Sequence, residues 1–183
     1  MITIEPIARE HLSLVQKHAS NPAIGATSTV PHPYPAQGAM RWYEHISLRI
    51  AAGHSKVFAI KCDGGFCGVM SLNNIKENTA ELDYWVTYEF QGRGIATEAA
   101  GLAIRHARQS LNIVTLFSGC LLRNVASGRV LEKNGFKEIN RTILEEGKFK
   151  GETFQRFQLR LREEDAAQPV APAERPDKAP AIR

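Results

Sequence analysis

Cysteine is scarce in this 183-residue chain: Cys62, Cys67 and Cys120 are the only three. A disulfide framework needs more of them in an even number, so free thiols in a reducing, cytoplasmic compartment are expected. No apolar run reaches the roughly 18 residues of a membrane-spanning helix, and no membrane partner is expected. The opening MITIEPIARE has neither a basic start nor a long apolar stretch, so a secretion signal is not expected either. The histidines are dispersed, and Cys62 and Cys67 flank only Asp63-Gly64-Gly65, without further ligands at metal-site spacing. No metal is therefore expected. Basic residues are scattered rather than clustered with aromatics, which argues against a nucleic-acid partner. Internal repeats are absent.

What is present is ordinary globular material, 43% hydrophobic and 23% charged. The net charge is +4, but residues 163–183 hold five acids against three bases, leaving +6 on the rest. That balance suits an anionic ligand. After Arg162 the composition shifts to alanine, proline and charge, so we expect one domain over 1–162 and a poorly ordered tail over 163–183. Hydrophobic spacing predicts a strand at 2–5, a helix at 8–19, a loop over 21–35 and a helix at 36–51. KVFAIKC-DGG-FCGVMSL reads as a hairpin with glycines at the turn. A polar turn, NNIKENT, then leads to a strand over 80–87. There Glu81, Asp83 and Trp85 share one face, and Leu82, Tyr84 and Val86 the other. A helix at 94–110 carries small residues at Ala96, Ala99, Ala100, Ala103 and Ala107. A strand at 113–122, a short helix at 124–134 and a last strand pair around Glu146-Gly147 complete the chain. The class is α/β with a mixed sheet.

Within this series, FQGRGIATEA places two glycines where a helix begins, although glycine inside a helix costs about 1 kcal/mol against alanine. Bare backbone at a helix start lets unpaired amides approach a bound anion closely. A dinucleotide fingerprint would need a third glycine at Thr97 and an acid on the following strand, and the strand has none. No phosphate-binding G-x-x-x-x-G-K-[ST] string occurs.

Gln91, Gly94 and Ala96 resemble the pyrophosphate loop of the GNAT superfamily of acyl-CoA-dependent N-acetyltransferases. A second matching element follows, Asn124-x-x-Ser127-x-x-Val130-Leu131-Glu132-Lys133-Asn134-Gly135-Phe136. ELDYWVTYEFQGRG and PYPAQGAMRWYEHI look like the branch that acetylates ribosomal proteins, and the likeness spans about 2–161. The resemblance implies a GNAT fold, its mixed, mostly antiparallel sheet splayed between strands 80–87 and 113–122. Acetyl-CoA, as co-substrate, would lie in that splay. Gln91, Gly92, Arg93, Gly94, Ile95, Ala96 and Thr97 would hold the pyrophosphate. The backbone of Trp85, Val86 and Thr87 would pair with the pantetheine arm, and the Val86 amide would polarise the thioester carbonyl. Asn124 would bind the pantetheine or thiol region, and Lys133 would meet the 3′-phosphate or simply cap its helix.

Acetyl transfer to an amine needs a neutral amine, a polarised carbonyl and a proton acceptor. An α-amine, with pKa about 7.7–8.0, needs less help than lysine at about 10.4. Glu81 and Asp83 are candidate acceptors of the proton, and Glu81 and Tyr34 candidate substrate contacts. Many relatives carry a tyrosine acid where this chain has Leu131. Ser127 is the candidate hydrogen-bond partner for the sulfur, and Trp42 is expected in the core. The acceptor is an amine-bearing molecule, with a ribosomal or other protein N-terminus among the candidates, and the chain is expected as a monomer or homodimer. A module that binds acyl-CoA without turnover is the alternative.

Overall fold

The computed structural model describes residues 1–161; the tail expected over 163–183 lies outside them. In chain order come β1 (Ile2–Pro6), a 3-10 turn (Arg9–His11), α1 (Leu12–Ala19), α2 (Pro22–Gly25), α3 (Gly38–Ala51), β2 (Lys56–Cys62), β3 (Gly65–Lys76) and β4 (Thr79–Val86). A second 3-10 turn (Tyr88–Phe90), α4 (Ile95–Leu111), β5 (Thr115–Leu121), α5 (Val125–Lys133), β6 (Lys137–Ile143) and β7 (Thr153–Arg160) follow. The expected series is present with two corrections. α2 forms inside the expected loop because Asn21 caps it, accepting from the Ala23 amide at 3.0 Å, and Pro22 suits the first helical position. The expected turn NNIKENT is largely strand: β3 runs on to Lys76, which pairs with Thr79 after a break in register beyond Asn73.

The seven strands lie in the order β1-β2-β3-β4-β5-β7-β6. Every neighbouring pair is antiparallel except β4 and β5. On one face, α4 turns Ala99, Ala100, Ala103 and Ala107 inward, all fully buried, so its axis lies close over the sheet and packs on Phe58, Ile60, Met70, Leu72 and Leu82. α4 stops at Asn112, whose left-handed backbone (φ 54°) suits asparagine and whose amide donates to Ala107. On the other face, Leu12 and Val15 of α1 and Ile46 of α3 pack on Val57, Ala59 and Val69. Each large buried side chain contributes about 1.5–3 kcal/mol, so both faces are needed to hold the sheet.

β4 is bounded by two unlike seams. Towards β3 its register runs from Val86 opposite Gly68 down to Thr79. Near the top, β3 bulges at Cys67, between the pairs Ile60–Gly68 and Lys61–Phe66. A Cβ on Gly68 would stand 2.2 Å from the Trp85 carbonyl oxygen, so only glycine allows that approach. Towards β5, pairing covers just Thr79–Thr115, Ala80–Leu116 and Glu81–Phe117, after which the strands part.

Candidate active site

The fork between β4 and β5 exposes backbone inside the molecule, and side chains answer part of it. The Ser118 hydroxyl, itself buried, donates to the Leu82 carbonyl at 2.7 Å, where ladder pairing stops. Further up, the Tyr84 hydroxyl lies 2.9 Å from Ser127 Oγ and 3.2 Å from the Ser127 carbonyl oxygen, bridging β4 to α5 across the opening. At the top, the Gln91 side chain donates to the Val86 carbonyl at 3.1 Å. The Thr87 amide donates back to Cys67 on β3 at 2.8 Å. Because strand groups alternate sides, Thr87 and Trp85 direct their amides at β3, and Tyr84 and Val86 direct theirs into the fork. The expected backbone contacts of Trp85 and Thr87 with a pantetheine arm are therefore corrected: Val86 alone of the three offers a free amide there, and Tyr84 joins it.

The glycine turn closes the upper end of the fork. Gly92 (φ 75°) and Gly94 (φ 78°) adopt left-handed backbone, and a Cβ on either would meet nothing within 4 Å. Glycine is required there by conformation rather than by crowding, and the space outside is open. Gly94 is the N-cap of α4 and supplies no side-chain cap; the first amide of the helix to find a backbone partner is that of Glu98, on the Gly94 carbonyl. Among the described residues the amides of residues 92–97 have no acceptor. This row of free donors lies at the positive end of a helix of 17 residues, an arrangement that suits an anion. Arg93 stands exposed beside it with its guanidinium 5.4 Å from the Phe90 ring. Gln91 turns inward, as described, and positions the loop instead of reaching out of it. Ile95 is buried beneath the turn, while Ala96 and Thr97 are half-buried. Asn134 fixes α5 against this helix by donating to the Thr97 carbonyl at 3.2 Å.

α5 lines the other bank. Asn124 caps it, accepting from the Ser127 amide at 3.2 Å, which commits the side-chain oxygen and leaves only the Nδ2 group free for a ligand. Leu131 is fully buried in the core, so no acid occupies that position. Lys133 is exposed in the last turn. Burial pushes the Tyr84 hydroxyl well above its ordinary value, opposed by its bond to Ser127. The same hydroxyl of Ser127 also eases the upward push that burial exerts on the Cys120 thiol. Tyr84 was not among the expected site residues; its signal was a polar-tipped aromatic on the strand face with Val86.

The opposite face of β4 carries the acids. Glu81 is held by Arg156 at 2.6 Å through one oxygen and by the Asn74 amide at 3.0 Å through the other. Both of its oxygens are thus engaged with donors. Asp83 accepts one bond, from the Asn73 side chain at 2.9 Å, on a single oxygen. Crowding raises its carboxyl above the ordinary value, with the Asn73 bond opposing; water still reaches the residue, which limits that effect. Of the two acids, Asp83 is the one with a carboxylate oxygen free of a donor among the described residues.

Beside Trp85 lies a cavity of about 410 Å³ between α1, α3 and residues 29–35. Tyr34 borders it as expected, and Trp42, expected in the core, borders it too. The Tyr34 ring rests on Gly38, where a Cβ would come within 2.7 Å of it. The wall is fastened from the far half of the sheet. Lys148 donates to the carbonyls of Gly25, Ser28 and Val30, and Arg123 to that of Ala26 at 2.8 Å.

All three cysteines are free. Glu5, Glu10 and His11 form one cluster of possible ligands among the described residues, but Glu5 already accepts from His11 at 2.9 Å and pairs with Lys61 at 3.1 Å. No helix among the described residues is long and apolar enough to cross a membrane.

A sheet forked beside a glycine-led helix start defines an acyl-CoA-type fold, and the chain belongs to the acetyltransferase (GNAT) domain family, whose sequence profile it matches over residues 2–137. It is similar to the ribosomal-protein-serine acetyltransferase of Escherichia coli K12, 35% identical over 86 residues; the match spans 46% of this chain and about half, 48%, of that protein. Among solved structures it resembles RimL, an alpha-N-protein acetyltransferase of a ribosomal protein, in complex with coenzyme A. There the TM-score is 0.82 at 19% identity, covering 90% of this chain and 95% of that one. The spermidine N-acetyltransferase of Vibrio cholerae, with CoA and spermine, gives 0.76 at 19% identity, covering 87% and 95%. At these identities the two structures show the shared fold.

Proposed function

We propose that this protein transfers an acetyl group from acetyl-CoA to a primary amine by direct attack, with both substrates bound together. The row of free amides at residues 92–97, set by two left-handed glycines at the head of α4, carries the reading. It fits a diphosphate, with Arg93 adding a full charge beside it. The unpaired edge of β4 at Tyr84 and Val86 fits an extended amide-bearing arm, which would add to the sheet as a strand. Asn124, with its free Nδ2, and Lys133 stand along α5 for the rest of the cofactor. Acetyl-CoA supplies an activated acyl thioester.

The chain's own groups then have distinct duties. The Val86 amide donates into the fork where a carbonyl oxygen gathers charge. Asp83, three residues and thus about 10 Å back along the strand, takes the amine's proton through water. The Ser127 hydroxyl, backed by Tyr84, hydrogen-bonds the departing sulfur; a thiolate of pKa about 8.5 needs little more. Glu81, locked to Arg156, shapes the electrostatics of the acceptor side. The acceptor is an amine-bearing molecule, a protein N-terminus or a small amine, and α-amines meet the requirement for a neutral nucleophile most easily.

The buried Leu131 favours a second reading, a module that holds acyl-CoA without turning it over. One experiment separates them: release of free thiol from acetyl-CoA over a panel of peptide N-termini and small amines, alongside calorimetric binding. Amine-dependent release supports transfer. Tight binding with no release supports the second reading, and no binding overturns both.

A further inference from the structure

The cavity beside Trp85 has a chemistry that sorts amines. Three aromatic residues border it, Tyr34, Trp42 and Trp85, together with Val15 of α1. Apart from the Tyr34 phenol, its ionisable lining is basic in kind: Arg41 and His45, both exposed on α3, with no aspartate or glutamate. Among the described residues neither Arg41 nor His45 has an ion-pair partner. The acids lie outside the lining, on β4, with Asp83 two residues from Trp85 and on the same strand face. At about 410 Å³ the volume sits near the small end of ligand pockets, roughly 300–1,000 Å³, with room for one bulky side chain and its flanking backbone.

We infer that this cavity selects an acceptor with an α-amine on a bulky apolar residue and a carboxylate just beyond it, as in a peptide or amino-acid-like amine, and disfavours polyamines. The inference rests on the acetyl-transfer reading above. The amine faces the fork beside Trp85, the neighbour of Val86, and reaches Asp83 through water. The side chain enters between the three aromatic rings, whose flat faces bury apolar area at little entropic cost. The carboxylate meets Arg41, which offers paired donors in a fixed fork, with His45 behind it. A polyamine brings a second positive charge to Arg41 and no apolar group for the cavity, so it is penalised twice.

The chain's only two tryptophans, Trp42 and Trp85, both border the cavity, so intrinsic fluorescence reads its occupancy without any turnover. The full chain is titrated with the dipeptide Phe-Glu and, separately, with spermidine. A saturable change with Phe-Glu, at least about tenfold tighter than with spermidine, is expected, and Arg41→Glu should erase or reverse that order. Gly38→Ala is the second variant: a Cβ there displaces the Tyr34 ring, and Phe-Glu should weaken several-fold while coenzyme A affinity, measured by calorimetry, stays the same. Absence of a saturable change with Phe-Glu, equal affinity for spermidine, or an order unmoved by Arg41→Glu would overturn the inference. If the fluorescence order holds and no amine releases thiol, the pocket assignment stands and the transfer reading falls.

Discussion

The two seams of β4 are made of the same strand and do opposite things. Against β3 the backbone is paired along its length, and Gly68 lets the chains approach until nothing fits between them. Against β5 three register pairs hold, then the strands part, and Ser118 and Gln91 answer two of the abandoned backbone carbonyls. Buried backbone polar groups are almost always partnered, so a fork with free amides at Tyr84 and Val86 is a place built for something to complete it. The closed seam spends glycine on packing; the open one spends it at Gly92 and Gly94 on conformation, with empty space outside. A glycine's purpose is told by what its missing Cβ would touch.

Substitutions at the two seams should therefore fail differently. The largest effect belongs to Gly68→Ala, whose Cβ would collide with the Trp85 carbonyl: chemical denaturation should show a loss of about 3 kcal/mol or more, or no folded protein. Gly94→Val should leave the fold recognisable by circular dichroism but weaken acetyl-CoA binding by about 100-fold or more in calorimetry, because a β-branched residue resists φ 78°. If Gly94→Val instead unfolds the chain while binding survives in Gly68→Ala, the contrast between the seams is wrong.

Asp83→Asn should lower kcat by up to about 100-fold in the thiol-release assay. It should not lower thermal stability at neutral pH. The native carboxyl is shifted upward from the ordinary 3.8, so the folded state holds the proton more tightly than the unfolded one. Its stabilising contribution is present below 3.8 and lost as pH rises through the native value, leaving a net cost at neutrality that asparagine relieves. Melting curves of both proteins at pH 7 test the sign. Tyr84→Phe keeps the packing and removes the partner of Ser127; kcat should fall about tenfold with acetyl-CoA affinity nearly unchanged. Smallest is Glu81→Gln, which breaks a half-exposed ion pair with Arg156 and should cost under about 1 kcal/mol in denaturation.

Much of this was legible in the chain. The period-2 face of residues 80–87 sorted Glu81, Asp83 and Trp85 from Leu82, Tyr84 and Val86, and both faces are as read. The alanine spacing of α4 and its stop at Asn112 followed from local chemistry. What escaped depended on partners remote in sequence. Nothing local says that Glu81 is taken by Arg156, 75 positions on, or that the Thr87 amide belongs to Cys67. The strand at Asn73–Lys76 looked like a turn because its polar residues were weighed without β4, which pairs with Asn73 and Lys76 across a break in register. Trp42 packs against the core as expected, and the loop at 29–35 makes it a cavity wall as well. α2 was masked by the prolines around it.

Lys148 and Arg123 grip the carbonyls of Gly25, Ala26, Ser28 and Val30, and both belong to the half of the molecule beyond the fork. The rim of the cavity beside Trp85 is thus moored to the opposite shore of the fork. Any swing of one half against the other would pull on that rim through these four carbonyls.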